Sequence, residues 1–267
     1  MYSPSLFEER VALVTGAGRG IGRAVAHQLA ELGADVAVND ISAESARATA
    51  RTIESETGSR ATATPADVSD PDEVTAMVDE ASDTLGPVQH LVNNAATKNY
   101  APLVELTVED WERVIRVNLT APFLVAREVA RRLLDGGQTG SVVNIASISA
   151  LRPQPGSGGY SPSKKALVSL TEQMAMEWGS EGIPVNSICP GMIWTEAGEA
   201  VYSDDELREQ RESFVPMAKI GRPEHVANAA VYMLAPENGY LNGESLVLDG
   251  GLQLIGNDRL AGKTERE

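Results

Sequence analysis

A single cysteine in 267 residues excludes an intramolecular disulfide. Cys189 closes an apolar stretch just ahead of Pro190, a place for a small core residue rather than a nucleophile. Histidine is nearly as scarce. His27, His90 and His225 stand far apart, with no second histidine or cysteine close to any of them, so the pattern offers no metal centre. Basic residues are outnumbered: 22 Lys and Arg against 38 Asp and Glu give a formal net charge of −16. Such a surface opposes non-specific binding to nucleic acid or an anionic membrane. No apolar run reaches the about 20 residues that a membrane-spanning helix needs. The N-terminal MYSPSLFEER lacks the basic and apolar regions of a secretory signal. A cytoplasmic protein is therefore expected. No Gly-x-Ser-x-Gly element points to hydrolase chemistry, and no repeat, low-complexity tract or Pro/Gly/Ser linker divides the chain.

What the chain does have is a regular alternation of strand and helix patterns. Strands are predicted near 10–15, 35–39, 61–66, 88–93, 140–146, 184–189 and 244–248. Helical periodicity lies between them, for example at 71–85, 107–134 and 222–235. Alternation of this kind implies one α/β domain over 1–256, a parallel sheet with helices on both faces. The polar tail at 257–267 is expected to fray.

The first strand runs into Thr-Gly-Ala-Gly-Arg-Gly-Ile-Gly at 15–22, after which Ile21, Val25, Leu29 and Leu32 recur at helical spacing. Gly16, Gly20 and Gly22 thus sit at a strand-to-helix turn. Glycine there permits a tight turn and lets backbone N–H groups approach a pyrophosphate, which the helix N-terminus also attracts. The second strand ends at Asp40, 18 residues after Gly22. A carboxylate there accepts hydrogen bonds from a ribose 2′-hydroxyl and repels a 2′-phosphate, which favours NAD over NADP. Arg19 argues the other way, as a partner for a 2′-phosphate. Asp40 also reads as a helix N-cap.

Tyr160 and Lys164 stand four residues apart in Tyr-Ser-Pro-Ser-Lys, and Ser147 lies 13 residues upstream. A helix over 161–175 puts Tyr160 and Lys164 on one face. A nearby ammonium favours the phenolate and lowers the phenol pKa from its usual value of about 10. A serine hydroxyl beside it holds the oxygen of an alcohol or ketone.

With these motifs in order, the chain resembles the short-chain dehydrogenase/reductase family from about residue 8 to residue 253. The family's Asp-Val is Asp67-Val68, its Asn-Asn-Ala-Gly appears as Asn-Asn-Ala-Ala at 93–96, and its helix asparagine is Asn118. Its Pro-Gly-x-x-x-Thr is 190–195 and its Asp-Gly-Gly is 249–251. Ala96 in place of glycine and Pro162 within the tyrosine motif are departures; proline is tolerated in a first helical turn.

The resemblance implies a Rossmann-like doubly wound sheet of seven parallel strands. It implies a secondary alcohol/ketone oxidoreductase with Asn118, Ser147, Tyr160 and Lys164 as catalytic residues. Cofactor contacts are implied at Gly16, Arg19, Gly20, Ile21, Gly22, Asp40, Ile41, Asp67, Val68, Asn94, Ala95, Ala96, Tyr160, Lys164, Pro190, Gly191, Ile193 and Thr195. Asn118 is expected to hold a water that connects Lys164 to solvent. Substrate contacts are expected from Ser147, Arg152, Gln154, Tyr160 and Trp194, under a loop near 194–218, and Lys98 and Tyr100 flank the pocket. Arg152 pairs either with an anionic substrate or with a surface acid. NAD and a small polar alcohol, sugar or polyol are favoured. A 3-oxoacyl thioester reductase using NADP and a non-catalytic NAD-sensing protein are the alternatives. Relatives imply a homotetramer, or a dimer, with Val125, Val129, Leu167, Leu170, Met174 and Trp178 available for contacts or for the core.

Overall fold

The computed structural model describes residues 2–196 and 203–255. The expected frayed tail, and Val201 and Tyr202 of the expected substrate loop, lie outside the described residues.

Seven strands form one parallel sheet: β1 (Val11–Val14), β2 (Asp35–Val38), β3 (Ala61–Ala63), β4 (Val88–Asn93), β5 (Ser141–Ile145), β6 (Val185–Pro190) and β7 (Ser245–Leu248), in the order β3-β2-β1-β4-β5-β6-β7. The inner strands β1, β4, β5 and β6 are buried at every residue. That is why they show no apolar–polar alternation, and why the polar residues in β4, β5 and β6, such as Asn93, Asn144 and Asn186, are buried with the rest.

Helices cover both faces. α1 (Gly20–Glu31), α2 (Ala43–Thr57) and α8 (Pro223–Leu234) pack one apolar layer, with Phe7, Val25, Leu29, Ile53 and Val231 at its centre. α3 (Pro71–Leu85), α5 (Ala121–Asp135) and α6 (Tyr160–Trp178) pack the other, around Met77, Leu91, Val125 and Leu133. Cys189 is wholly buried in a small third cluster with Leu167, as its core reading required. Val125, Val129, Leu167 and Met174 are core residues, and Leu170 and Trp178 pack partly buried against it. The four buried ones serve the core, while Phe123 and Leu134 on α5 and Met176 on α6 are exposed apolar side chains.

The single helix expected over 107–134 is two helices. α4 (Val108–Ile115) and α5 are joined by a π-helical turn, Arg116–Thr120, in which the Ala121 N–H reaches back to the Arg116 carbonyl. Pro122 supplies the reason: it has no N–H to give, and its ring crowds the carbonyl four residues back, that of Asn118. A wider turn relieves the crowding.

The strand order reverses between β1 and β4: β2 and β3 lie on one side of β1, and β4 to β7 on the other. The carboxyl ends of β1 and β4 therefore open into a crevice, the place where open α/β sheets hold ligands.

Candidate active site

The crevice is built by close approach of backbone. Gly16 has φ +60°, and a Cβ on it would lie 2.9 Å from the Ala95 Cα. A Cβ on Gly22 would lie 2.4 Å from the Gly16 carbonyl oxygen, so α1 packs on the turn at a distance only glycine allows. Asn94, just beyond β4, donates its side-chain amide to the carbonyls of Thr15 (2.9 Å) and Gly16 (3.0 Å). Thr15 Oγ1 in turn accepts the N–H groups of Asn94 (3.0 Å) and Ala95 (3.1 Å). Asn94 thus braces the glycine turn across the reversal point.

The N-terminus of α1 carries no side-chain cap. By contrast α2, α3, α4 and α7 (Asp205–Glu212) are capped by Ser42, Asp70, Thr107 and Asp204. The first-turn N–H groups of α1 are left for an anion. Asp40 accepts the Gly18 N–H on Oδ2 (3.0 Å) and the Ser42 N–H on Oδ1 (2.9 Å). Ser42, not Asp40, caps α2.

A cleft of about 1120 Å³ runs along these ends, lined by Gly16, Arg19, Gly20, Ile21, Asp40, Ile41, Asp67, Val68, Asn94, Ala95, Ala96 and Thr195 among the expected cofactor residues. A glycine cradle, an uncapped helix N-terminus and an acid at the end of β2 fit a dinucleotide. Four further expected cofactor residues stand next to this lining rather than in it. Gly22 lies behind the turn. Gly191 packs against Asp249, and Ile193 pairs with Gly221 in an isolated bridge. Pro190 ends β6 as a buried residue.

Beyond the cleft lie the chemical groups. Ser147 follows β5, and its Oγ accepts the Ser149 N–H (3.1 Å). Tyr160 opens α6, and Lys164 lies one turn on, buried, its Nζ donating to the Ile145 carbonyl at 2.7 Å. The Lys164 Nζ is 5.9 Å from the Tyr160 ring centroid; the Lys98 Nζ is closer, at 5.2 Å. Burial pushes the Tyr160 phenol above its ordinary pKa, against the charge of Lys98 and a hydrogen bond with Ser147. The sequence expectation was a phenol lowered by Lys164. Lys98 is the cation that most opposes this rise, and burial, then Lys98, pull Lys164 itself down to about 7.

Asn118 is fully buried in the π-helical turn. Its Oδ1 accepts the Thr97 N–H (2.8 Å), and its Nδ2 donates to the Thr97 carbonyl (2.9 Å) and to Ser163 Oγ (3.1 Å). Ser163 donates onward to the Tyr160 carbonyl at 2.7 Å. These bonds commit both amide hydrogens, so the side chain acts as a clamp.

Of the expected substrate residues, Ser147 and Tyr160 come together. Arg152 and Gln154 are exposed. Trp194 instead lines a second cleft of about 700 Å³ with Arg23, His27 and Gln28 of α1, beneath the Arg208 guanidinium. Arg23 pairs with Glu196, which fastens the chain just past Thr195 to α1. Sequence reasoning placed Lys98 only at the pocket's flank and did not single out Thr97. Their position just beyond Asn-Asn-Ala-Ala at the end of β4 was the available signal. Among the described residues no cluster of metal-ligating side chains occurs, and no helix is long and apolar enough to cross a membrane.

Comparison with known proteins gives the site its context. A family model described as enoyl-(acyl carrier protein) reductase matches residues 16–253. Gluconate 5-dehydrogenase of Gluconobacter oxydans is 36% identical over 254 residues, 94% of this chain and 98% of that protein. 3beta-Hydroxysteroid dehydrogenase 1 of Eggerthella lenta is 37% identical over 246 residues, 92% of this chain and 94% of that protein. A gluconate 5-dehydrogenase from Burkholderia cenocepacia, solved in complex with NADP and tartrate, superposes with a TM-score of 0.87 at 34% identity, over 94% of this chain and 98% of that one.

Proposed function

The chain belongs to the short-chain dehydrogenase/reductase family and is an NAD(P)-dependent oxidoreductase of alcohols and ketones; from that premise we propose that Tyr160 moves the substrate proton, assisted by Ser147 and Lys164. One observation carries the assignment: Ser147, Tyr160 and Lys164 converge past the carboxyl ends of β5 and β6, next to a cleft shaped for a dinucleotide. Bound nicotinamide supplies the hydride acceptor in oxidation and the donor in reduction. In oxidation Tyr160, as phenolate, takes the hydroxyl proton; in reduction, as phenol, it gives the proton back. Ser147 donates a hydrogen bond to the carbonyl oxygen and orients it. Lys164, held by the Ile145 carbonyl, presents its amine at the foot of α6 for the ribose hydroxyls. Gly16, Gly20 and the first turn of α1 receive the pyrophosphate, Asp67 and Val68 flank adenine, and Ile193 and Thr195 hold the carboxamide. Asn118 keeps the loop after β4 in register with α6.

A positioned acid/base contributes about 10²–10⁴-fold. Tyr160→Phe is expected to lose turnover on that scale and keep its melting temperature. Near-wild-type turnover in Tyr160→Phe would sink the assignment.

The substrate class favoured is a sugar, a polyol or a related polyhydroxy acid, supported by the gluconate-oxidising relative over nearly the whole chain. The steroid dehydrogenase is similar to the same degree, and the family description points to acyl thioesters. Initial rates on polyols, aldonates, hydroxysteroids and 3-oxoacyl thioesters therefore separate the readings.

NAD is the preferred cofactor on this proposal, because Asp40 sets a carboxylate at the cleft end where a 2′-phosphate would sit. Asp40→Asn, which keeps the shape and one of the two acceptor oxygens, is expected to cut the NAD/NADP preference about tenfold, one like-charge contact's worth. A ratio that does not move passes the choice to Arg19. A homotetramer in the cytoplasm completes the proposal, with the exposed Phe123 and Met176 on α5 and α6 available for subunit contact.

A further inference from the structure

The loop that follows β4 is fastened more firmly than an exposed connection requires. Both backbone groups of Thr97 are held by the buried Asn118 amide, which also binds Ser163 on α6. Arg113 reaches Thr97 Oγ1 at 3.3 Å. Two residues on, the Asn99 carbonyl lies so close to Gly158 that a Cβ there would come within 2.3 Å. Ala101 then pairs with Ser157 in a parallel bridge. Ser163, Gly158 and Ser157 all belong to the segment that carries Tyr160. The residue enclosed by these anchors is Lys98, and its Nζ stands 5.2 Å from the Tyr160 ring centroid.

We propose that Lys98 is a positioning residue of the acid–base centre, held over Tyr160 by the Asn118–Thr97 clamp so that its charge acts through the phenol. This rests on the reading of Tyr160 as the proton-transfer group.

The two lysines divide the work. Lys164 is buried, bound to the Ile145 carbonyl, and pulled down to about 7 by burial first and Lys98 second. At neutral pH its charge is fractional. Lys98, by contrast, is exposed. The groups that face Tyr160 are Lys98 and Tyr100 from the loop after β4, Ser147 from the end of β5, Lys164 from α6 and Cys189 from β6. Burial pushes the phenol up; Lys98 opposes it most, then the Ser147 hydrogen bond, while Tyr100 and Cys189 add to the upward push. Lys98 is thus the chief charge favouring the phenolate.

The sign follows. Loss of a cation raises the phenol pKa, so the proton acceptor forms only at higher pH. A unit charge at this range, partly screened by water, is worth about one pH unit.

The test is a phenolate absorbance titration of the full-length protein, with Tyr160 isolated by subtracting the matching Tyr160→Phe variant. Lys98→Gln is expected to move the Tyr160 step up by about one pH unit, and Lys98→Arg to stay with wild type. The alkaline shift is also expected in the pH profile of kcat/KM for gluconate oxidation, with lost rate recovered at high pH. A Lys98→Gln titration that superimposes on wild type overturns the proposal. So does a loss of rate in Lys98→Gln that is equal at every pH, since that marks a loop defect. Undiminished turnover in Tyr160→Phe instead refutes the proton-transfer reading, and the titration still reports whether Lys98 acts on the phenol.

Discussion

Lys164 and His90 are both buried ionisable side chains, placed at opposite ends of the same strands. His90 lies on β4 opposite Ser141, the first residue of β5. Its Nδ1 bonds Ser141 Oγ at 2.8 Å, Phe7 meets its ring edge-on at 5.2 Å, and Nε2 has no hydrogen-bond partner among the described residues. Burial, then Arg10, lower its pKa to about 4, so at neutral pH it is an uncharged core residue. Lys164 is buried as deeply, yet it titrates near 7, beside Tyr160 and past the carboxyl ends. Burial alone therefore does not mark a working group. What separates the two is the pH range into which burial moves them, and whether a second titrating group stands close by.

The sharpest way to break this comparison is Lys164→Met. The folded-state pKa of about 7 lies below the ordinary 10.5. Between those values the unfolded chain holds more protons, so stability rises with pH; below 7 the full cost of burying the charge persists. That cost is about 5 kcal/mol at most, offset by about 1–3 kcal/mol if the Ile145 carbonyl loses its donor. Lys164→Met is expected to lose activity by about 10²-fold or more and to melt higher than wild type at pH 6. A lower melting temperature at that pH would mean that the amine stabilises the fold, and the contrast with His90 would fail.

A matched pair of glycines extends the test to backbone packing. At the carboxyl end, a Cβ on Gly22 would meet the Gly16 oxygen at 2.4 Å and Asn94 Nδ2 at 2.5 Å. At the amino end, a Cβ on Gly140 would meet the Gln89 oxygen at 2.3 Å and Leu133 Cδ1 at 2.6 Å. Both alanine variants are expected to lose about 1–3 kcal/mol of stability from overpacking. Only Gly22→Ala is expected to weaken NAD or NADP binding, about tenfold or more, measured by calorimetry. Equal affinity in the two variants would show that the turn has slack.

The same division governs how much of the molecule was legible in its residues. The strands showed in their β-rich segments between helical patterns, and the glycine turn and the tyrosine motif have fixed spacing, so the sheet and most cleft residues could be named. Contacts across the fold could not. The bond from Asn118 to Thr97 spans 21 residues and depends on a π-helical turn that periodicity passes over, although Pro122 was a local sign of it. A spacing of four placed Lys164 near Tyr160, but it carried no measure of burial and said nothing of Lys98, which arrives from another loop. The direction of Trp194 was equally hidden, because it is set by packing near α1 rather than by its neighbours in sequence.

The smallest effect belongs to His90, and it completes the comparison from the silent side. Its folded-state pKa of about 4 lies below the ordinary 6.5. Above 6.5 neither state is protonated and the group contributes no pH dependence. As pH falls from 6.5 to 4 the unfolded chain takes up the proton first, so stability is lost, by about 3 kcal/mol in all. His90→Gln keeps a hydrogen-bonding side chain that cannot be protonated, and its melting temperature is expected to fall less steeply over that interval. Its kcat/KM at pH 7 is expected to match wild type. Parallel acid limbs would move the cause to the carboxylates. A changed kcat/KM would mean that the amino end of the sheet is coupled to the site after all.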